Sequence, residues 1–335
     1  MDAIAKARSA RVLRLMYEIE REYGKPMVEA FASAVARIKS DAKLGRIRDA
    51  LAAGNIEEAV RVSGAEALGA SIVGVGVPPG SPSLSDHVLD AFRAGAGAGL
   101  EQMPKKIALA AKLDLTNPES TRWARERSAE LVVDVTARQE AAIRAVITRA
   151  FEQGMTVDQV ARRVRDSIGL TENQAEYVMN FRHQLETGRM LNATAPWDRR
   201  LNAVERREAR DIYDVGGSVT DVNDIVGRYA ERLVNRRALD IARTEIHDAS
   251  INGQAEIFRQ ASDSGLIDKG RVKRFWNYTN DGRQRDTHES VSTMNPDGVG
   301  LDEPFNTPWG PAMNPGDGPA EEAINCRCFL TYVFD

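Results

Sequence analysis

The sequence predicts a mostly α protein, an elongated helical N-terminal region followed by a small α+β C-terminal domain with a long Pro/Gly-rich loop. Three observations carry this. Apolar residues recur at three- and four-residue steps over most of the first 237 positions, with capping boxes between the runs. Two aromatic-rich stretches near the C-terminus alternate instead, as strands do. Between them, residues 296–319 hold six of the 13 prolines. At 335 residues the chain has room for about two domains of roughly 150 residues each. The composition shifts suggest residues 1–150 as a helical region broken at 71–83, 151–236 as a helical connector, and 237–335 as the α+β domain.

The elements follow in order. From Ala3 to about Leu51 the pattern is helical, with Val12, Leu15, Met16 and Ile19 on one stripe. Gly24-Lys25-Pro26 predicts a break, with Pro26 opening the next helix. Asn55 and Glu58 are spaced to cap a short helix. Gly74, Gly76, Pro78, Pro79, Gly80 and Pro82 predict an exposed loop over Ser71–Ser83. Helical signals resume at Asp86, soften over Gly95–Gly99 and continue to about Arg237. Thr116 with Glu119, Thr156 with Gln159 and Thr171 with Gln174 mark helix starts. Glu119–Phe151 reads as one long helix, which suits an elongated scaffold. Arg237–Ser262 is one more helix. Arg271–Thr279 and Cys326–Phe334 are the strands, and the loop between them must bury Phe305 and Trp309.

Composition narrows the function. With 42% hydrophobic and 28% charged residues the chain is globular. Aromatics are only 6% and Ala is abundant, which favours helices packed through small side chains. A net charge of −4 gives no field able to hold nucleic acid or an anionic membrane by itself. No stretch approaches the roughly 20 apolar residues of a membrane span, so a soluble protein without a membrane partner is expected. Cys326 and Cys328 are the two cysteines. Residues two apart make a strained disulfide, so the thiols either pack on one face of the terminal strand or form half of a metal site.

Three constellations could carry chemistry. Gly154–Ala161 with Gly169–Glu176 has the spacing of a helix-turn-helix, but the second helix opens on Glu172 and Glu176, where DNA phosphates would lie. Arg199, Arg200, Arg206, Arg207 and Arg210 are answered by Asp198, Glu205, Glu208 and Asp211, a solvated helix face. Arg228, Arg232, Arg236 and Arg237 form a more one-sided stripe that could meet phosphates or an acidic partner. The third set is Arg243-Thr244-Glu245, His247, Asp281, Arg283, Arg285, Asp286, His288, Cys326 and Cys328. It reads first as a buried network, with Arg243 and Glu245 paired to charges in the loop, the cysteines packed, and no cofactor. The other reading is zinc on His288, Cys326 and Cys328, completed by His247 or Asp286. Glu245 as base and His288 as acid would make an enzyme, yet no nucleophile elbow, P-loop or HExxH accompanies them.

The C-terminal motifs carry a resemblance. Ala242-Arg243-Thr244-Glu245, Trp276, Asp281-Gly-Arg-Gln-Arg285-Asp286-Thr287-His288, Pro315-Gly316-Asp317 and Asn325-Cys326-Arg327-Cys328 are similar to the phage Mu gpF-like head morphogenesis family of minor head proteins. Ile168–Ala175 resembles the helical lead-in of that domain, so the likeness spans about residues 150–335. Gln284 stands where the family commonly has Thr. The resemblance implies a virion component made in the host cytoplasm, not an enzyme. It implies partners in the portal and the major capsid or scaffold proteins, and a link to genome packaging or ejection that leaves non-specific contact with double-stranded DNA open. It implies a structural role for Arg243, Thr244, Glu245, Trp276, Asp281, Arg285, His288, Asn325, Cys326 and Cys328.

Overall fold

In a computed structural model describing residues 3–188 and 200–334, the chain is mostly helical, with short antiparallel strands confined to its C-terminal region. The helices are α1 (Ala3–Asp41), α2 (Leu44–Ala52), α3 (Ile56–Val62), α4 (Ala65–Ile72), α5 (Leu84–Leu100), α6 (Lys105–Ala110) and α7 (Pro118–Glu152), then α8 (Val157–Ser167), α9 (Glu172–Thr187), α10 (Ala203–Val215) and α11 (Val219–Asp263). After them come β1 (Val272–Asn277), α12 (Asp286–Met294), β2 (Phe305–Thr307), β3 (Gly310–Ala312), α13 (Ala320–Ala323) and β4 (Phe329–Phe334). No helix among the described residues is long and apolar enough to cross a membrane.

The capping chemistry works largely as the sequence suggests. Asn55 Oδ1 accepts the Glu58 amide at 3.0 Å, and reciprocal capping boxes at Thr156/Gln159 and Thr171/Gln174 open α8 and α9. Three boundaries differ. Helix α7 is capped by Asn117, whose Oδ1 takes the Glu119 amide at 2.9 Å with Pro118 at the first helical position, while Thr116 turns back to Asp114. Pro26 does not break α1 but lies inside it. A proline there costs about 3 kcal/mol, and burial of Ile19, Met27 and Phe31 on either side outweighs it. Nor does a helix start near Arg237. Ser218 and Asp221 cap each other's amides, so α11 begins at Val219.

Two compact units gather separated stretches of chain: Met1–Val28, Leu84–Arg127 and Leu239–Asp335 in the first, Glu29–Ser83 and Ser128–Ala238 in the second.

In the first unit, α5 and α11 meet backbone to backbone. A Cβ on Gly95 would lie 2.1 Å from the Ser250 carbonyl oxygen, and one on Gly253 would lie 2.0 Å from that of Phe92. The Gly/Ala stretch that weakens the helical pattern is therefore the contact surface itself. C-terminal to this crossing, β1 and β4 pair antiparallel, with Val272 opposite Phe334 and Asn277 opposite Phe329. Phe258 of α11 stacks on Tyr332 at 3.9 Å between ring centroids. The core continues through Val12, Met16, Trp276, Phe305, Cys326 and Cys328.

The expected terminal strand is shorter than its alternation suggests. Asn325 has φ 57°, and the Cys326 amide bonds back to the Ala323 carbonyl, so the ladder starts only at Phe329. Asn tolerates the left-handed region better than other non-Gly residues, because its short amide can bond locally. The Pro/Gly-rich segment is not all loop either. It contains the β2–β3 hairpin, which buries Phe305 and half-buries Trp309.

The second unit packs α4 against α7, where a Cβ on Gly69 would meet Thr136 Oγ1 at 1.9 Å. The turn between α8 and α9 needs glycine at 169, with φ +86° and the Val35 methyls 2.5–2.8 Å from any Cβ. The buried Gln139 side chain serves that turn at both ends, accepting the Gly169 amide at 2.7 Å and donating to the Ser167 carbonyl at 3.2 Å.

Gly253→Ala should destabilise the first unit by about 3 kcal/mol or more, above the ordinary overpacking range, because the obstacle is backbone rather than a movable side chain. Urea unfolding of the full chain would show this, and a variant within about 0.5 kcal/mol of wild type would contradict the crossing.

Candidate metal centre

His288, Cys326 and Cys328 come together in the first unit, all three buried, with one ligand atom from each within 4.8 Å of the others. His288 Nδ1 lies 3.2 Å from Cys328 Sγ and 3.6 Å from Cys326 Sγ. Tetrahedral zinc with ordinary bond lengths separates N from S by about 3.6 Å and S from S by about 3.8 Å. The cluster could hold a metal ion.

Two elements hold this arrangement. On α11, Asp240, Thr244 and His247 stand at i, i+4 and i+7, one face of the helix. Asp240 Oδ1 accepts Asn325 Nδ2 and Thr244 Oγ1 accepts the Asn325 amide, each at 3.1 Å, while His247 Nε2 lies 2.6 Å from the Cys328 carbonyl. The second clamp comes from the segment entering α12. Asp281 pairs with Arg327, and Arg285 donates to the Glu322 and Ile324 carbonyls at 3.2 and 2.8 Å. His288 then enters from the start of α12, edge-on to Trp276 and 5.1 Å from the Trp309 ring.

The thiols do not share protons evenly. A hydrogen bond from Cys328 holds Cys326 well below the ordinary thiol value despite its burial. Cys328, as the donor to Cys326 and itself buried, is pushed up. A thiolate at Cys326 is the protonation state a metal ion requires.

Several expected partners lie elsewhere. His247 and Asp286 do not join the cluster, since His247 turns to the Cys328 carbonyl and Asp286 is exposed in the first turn of α12. Arg243 pairs with Glu20 of α1 rather than with the loop, at 3.0 Å. Glu245 is gripped by both Nε and Nη2 of Arg127, each at 2.7 Å, so it is an ion-pair partner away from the thiols. The arginine stripe is not a row of open cations. Arg228 pairs with Glu208 and Arg232 with Glu205. Arg237 is 4% exposed against the Phe31 ring, and burial pushes its guanidinium down to about 10. In the helix-turn-helix-like pair, Arg163 and Arg182 are buried against Glu186 and Asp166. Arg199 lies outside the described residues.

Sequence reasoning missed Glu322, Arg274 and Arg127. Glu322 Oε2 lies 3.0 Å from His288 Nε2 and accepts Thr287 Oγ1 at 3.0 Å. Arg274 lies on the inward face of β1 between Val272 and Trp276 and is 2% exposed. It donates to the carbonyls of Gly300, Glu303 and Met313 and to Asn314 Oδ1. The inward position of a charge in an alternating strand was the available signal. Asp317 closes the same loop by accepting the Met313 and Asn314 amides at 3.0 and 2.8 Å through one oxygen.

No known protein family, curated protein or solved structure matches the chain.

Burial raises the Asp317 carboxyl above its ordinary value, against the two amides that favour its ionised form. The folded state thus holds this proton more tightly than the unfolded one. Its contribution is present below the ordinary carboxylate range and lost as pH rises through the raised value. Asp317→Asn keeps an acceptor for both amides without the charge. It should be at least as stable as wild type at neutral pH, with the difference shrinking in acid, as urea midpoints across pH would show. A variant clearly weaker at neutral pH would refute this.

Proposed function

We propose that the chain is a structural protein of a tailed-phage head, of the minor head type, whose C-terminal domain is locked by one zinc ion on His288, Cys326 and Cys328. The observation that carries the reading is the convergence of the motif residues. Positions 242–245, 281–288 and 325–328 carry the likeness to head morphogenesis proteins. Within them, Thr244, Asp281, Arg285 and His288 all act on the 322–328 segment. A motif whose members secure one another is a folding signature. Glu245, the one candidate base, is tied up by Arg127.

Two thiolates and an imidazole form a soft donor set that favours zinc among common divalent ions, and zinc holds such ligands without redox chemistry. The portal and the capsid or scaffold proteins are the partners in this reading. The pairing of Arg228 and Arg232 and the burial of Arg237 favour protein surfaces over phosphates.

Mass spectrometry of purified virions should find the protein, and its deletion should impair head assembly or infectivity. Intact virions lacking it, together with turnover of a substrate by the purified protein, would overturn the head role. Protein purified without chelator should carry about one zinc per chain, and EDTA should lower its Tm, because metal binding and folding are linked. Less than a tenth of an equivalent with an unchanged melt would reduce the cysteines to packing groups. Cys326→Ala with Cys328→Ala would then cost only about 1–3 kcal/mol.

A further inference from the structure

His288 faces the thiols with one ring nitrogen and a carboxylate with the other. Nδ1 lies 3.2 and 3.6 Å from the two Sγ atoms, and Nε2 lies 3.0 Å from Glu322 Oε2. The two nitrogens of an imidazole point away from each other, so Glu322 sits across the ring from the thiols. It cannot reach an ion held on the Nδ1 side.

That arrangement decides where the ring proton belongs. A carboxylate only accepts, so a hydrogen bond between Nε2 and Glu322 requires the hydrogen on Nε2. An imidazole that ligates a metal is neutral and has one N–H, so with that hydrogen on Nε2 the Nδ1 lone pair is aimed at the sulfurs. The reverse tautomer would set a lone pair against the carboxylate and an N–H into the metal position.

Glu322 is itself held in place. Its Oε2 accepts Thr287 Oγ1 at 3.0 Å, and its backbone carbonyl takes Arg285 Nη1 at 3.2 Å. Arg285 Nη2 takes the Ile324 carbonyl at 2.8 Å, two residues before Cys326. The four-residue α13 is too short to aim a side chain by itself, so Arg285 and Thr287 supply what the helix cannot. The Glu322 side chain is 16% exposed and the His288 side chain 4%, so little water competes for the bond.

We propose that Glu322 is the positioning residue of the centre, fixing His288 in the Nε2–H tautomer and turning its ring so that Nδ1 joins the two thiolates on a zinc ion. The proposal rests on the metal reading above. A carboxylate behind a ligating imidazole also raises the basicity of the nitrogen that binds the metal. In the competing arrangement, Glu322 and His288 are neighbours in a hydrogen-bonded core and the thiols bind nothing.

The test uses the full chain as wild type, Glu322→Gln and Glu322→Ala, each titrated with zinc against a chromogenic chelator. Glu322→Ala should bind zinc about 10- to 100-fold more weakly, the usual loss when such a partner is removed. Glu322→Gln still accepts the Nε2 hydrogen through its amide oxygen and should recover most of that loss. Cobalt(II) in place of zinc should give thiolate charge-transfer bands in all three, since the cysteines still ligate. Nitrogen-15 NMR of the zinc-loaded wild type should show His288 protonated at Nε2 and metal-bound at Nδ1, a readout that does not depend on any variant folding. Zinc-loaded wild type with ligation through Nε2, or Glu322→Ala with wild-type affinity, overturns the role of Glu322 and leaves the metal site standing. A wild type that retains no zinc overturns both.

Discussion

A guanidinium buried on the inner face of a two-stranded sheet organises the C-terminal region. Among the described residues Arg274 makes no ion pair within 4 Å. It spends its N–H groups on the carbonyls of Gly300, Glu303 and Met313 and on the Asn314 side chain, with Phe305 beneath its plane at 5.1 Å. A segment this rich in proline and glycine cannot satisfy its own backbone through regular structure, and each buried carbonyl left unpaired would cost about 1–3 kcal/mol. One planar, always-charged donor fork supplies three of those partners at once. Burial pulls the Arg274 pKa down, the expected strain of a desolvated cation. The loop it secures carries Trp309 onto His288.

The clustering of His288, Cys326 and Cys328 is a product of that ordered loop and of two helices that approach the same short segment. The α11 face of Asp240, Thr244 and His247 fixes the backbone of residues 325–328, including the left-handed turn at Asn325. Asp281, Arg285 and His288 reach it from the α12 side. Neither clamp touches the sulfurs except through His288. The thiols are therefore presented by their backbone, and the imidazole by its own hydrogen bond to Glu322.

The same economy appears in the second unit, where side chains replace missing backbone partners. Gln139 completes the turn at Gly169, and Arg182 bridges Asp166 and Asn223. Arg237 departs from this. Its terminal nitrogens have no hydrogen-bond partner among the described residues, and it rests on the Phe31 ring instead. A stripe at helical spacing looks like one cationic face only until the neighbouring helices are placed. Glu205 and Glu208 of α10 then reach Arg232 and Arg228.

Local chemistry was legible from the sequence wherever a few adjacent residues decide the outcome. Asn55, Thr156 and Thr171 satisfy orphan amides three residues ahead, the Gly/Pro run at 74–82 cannot be helix, and alternation over 271–279 marks a strand; each depends only on near neighbours along the chain. The mostly helical class with a small α+β end followed from these. Likewise His288, Cys326 and Cys328 could be named together from residue type alone. Tertiary structure decided what depends on long-range contact. Burial kept α1 continuous through Pro26, and close backbone approach turned Gly95 and Gly253 from weak helix positions into a required contact. Glu322 carried no signal in the sequence, because a glutamate in a four-residue helix is ordinary until a histidine 34 positions away faces it. His247, expected as a possible completing ligand, lies outside the cluster for a similar reason. Its ring is drawn to a backbone carbonyl that exists in that place only once the chain has turned at Asn325, and no pattern of neighbours along the sequence specifies where a carbonyl 81 positions away will point.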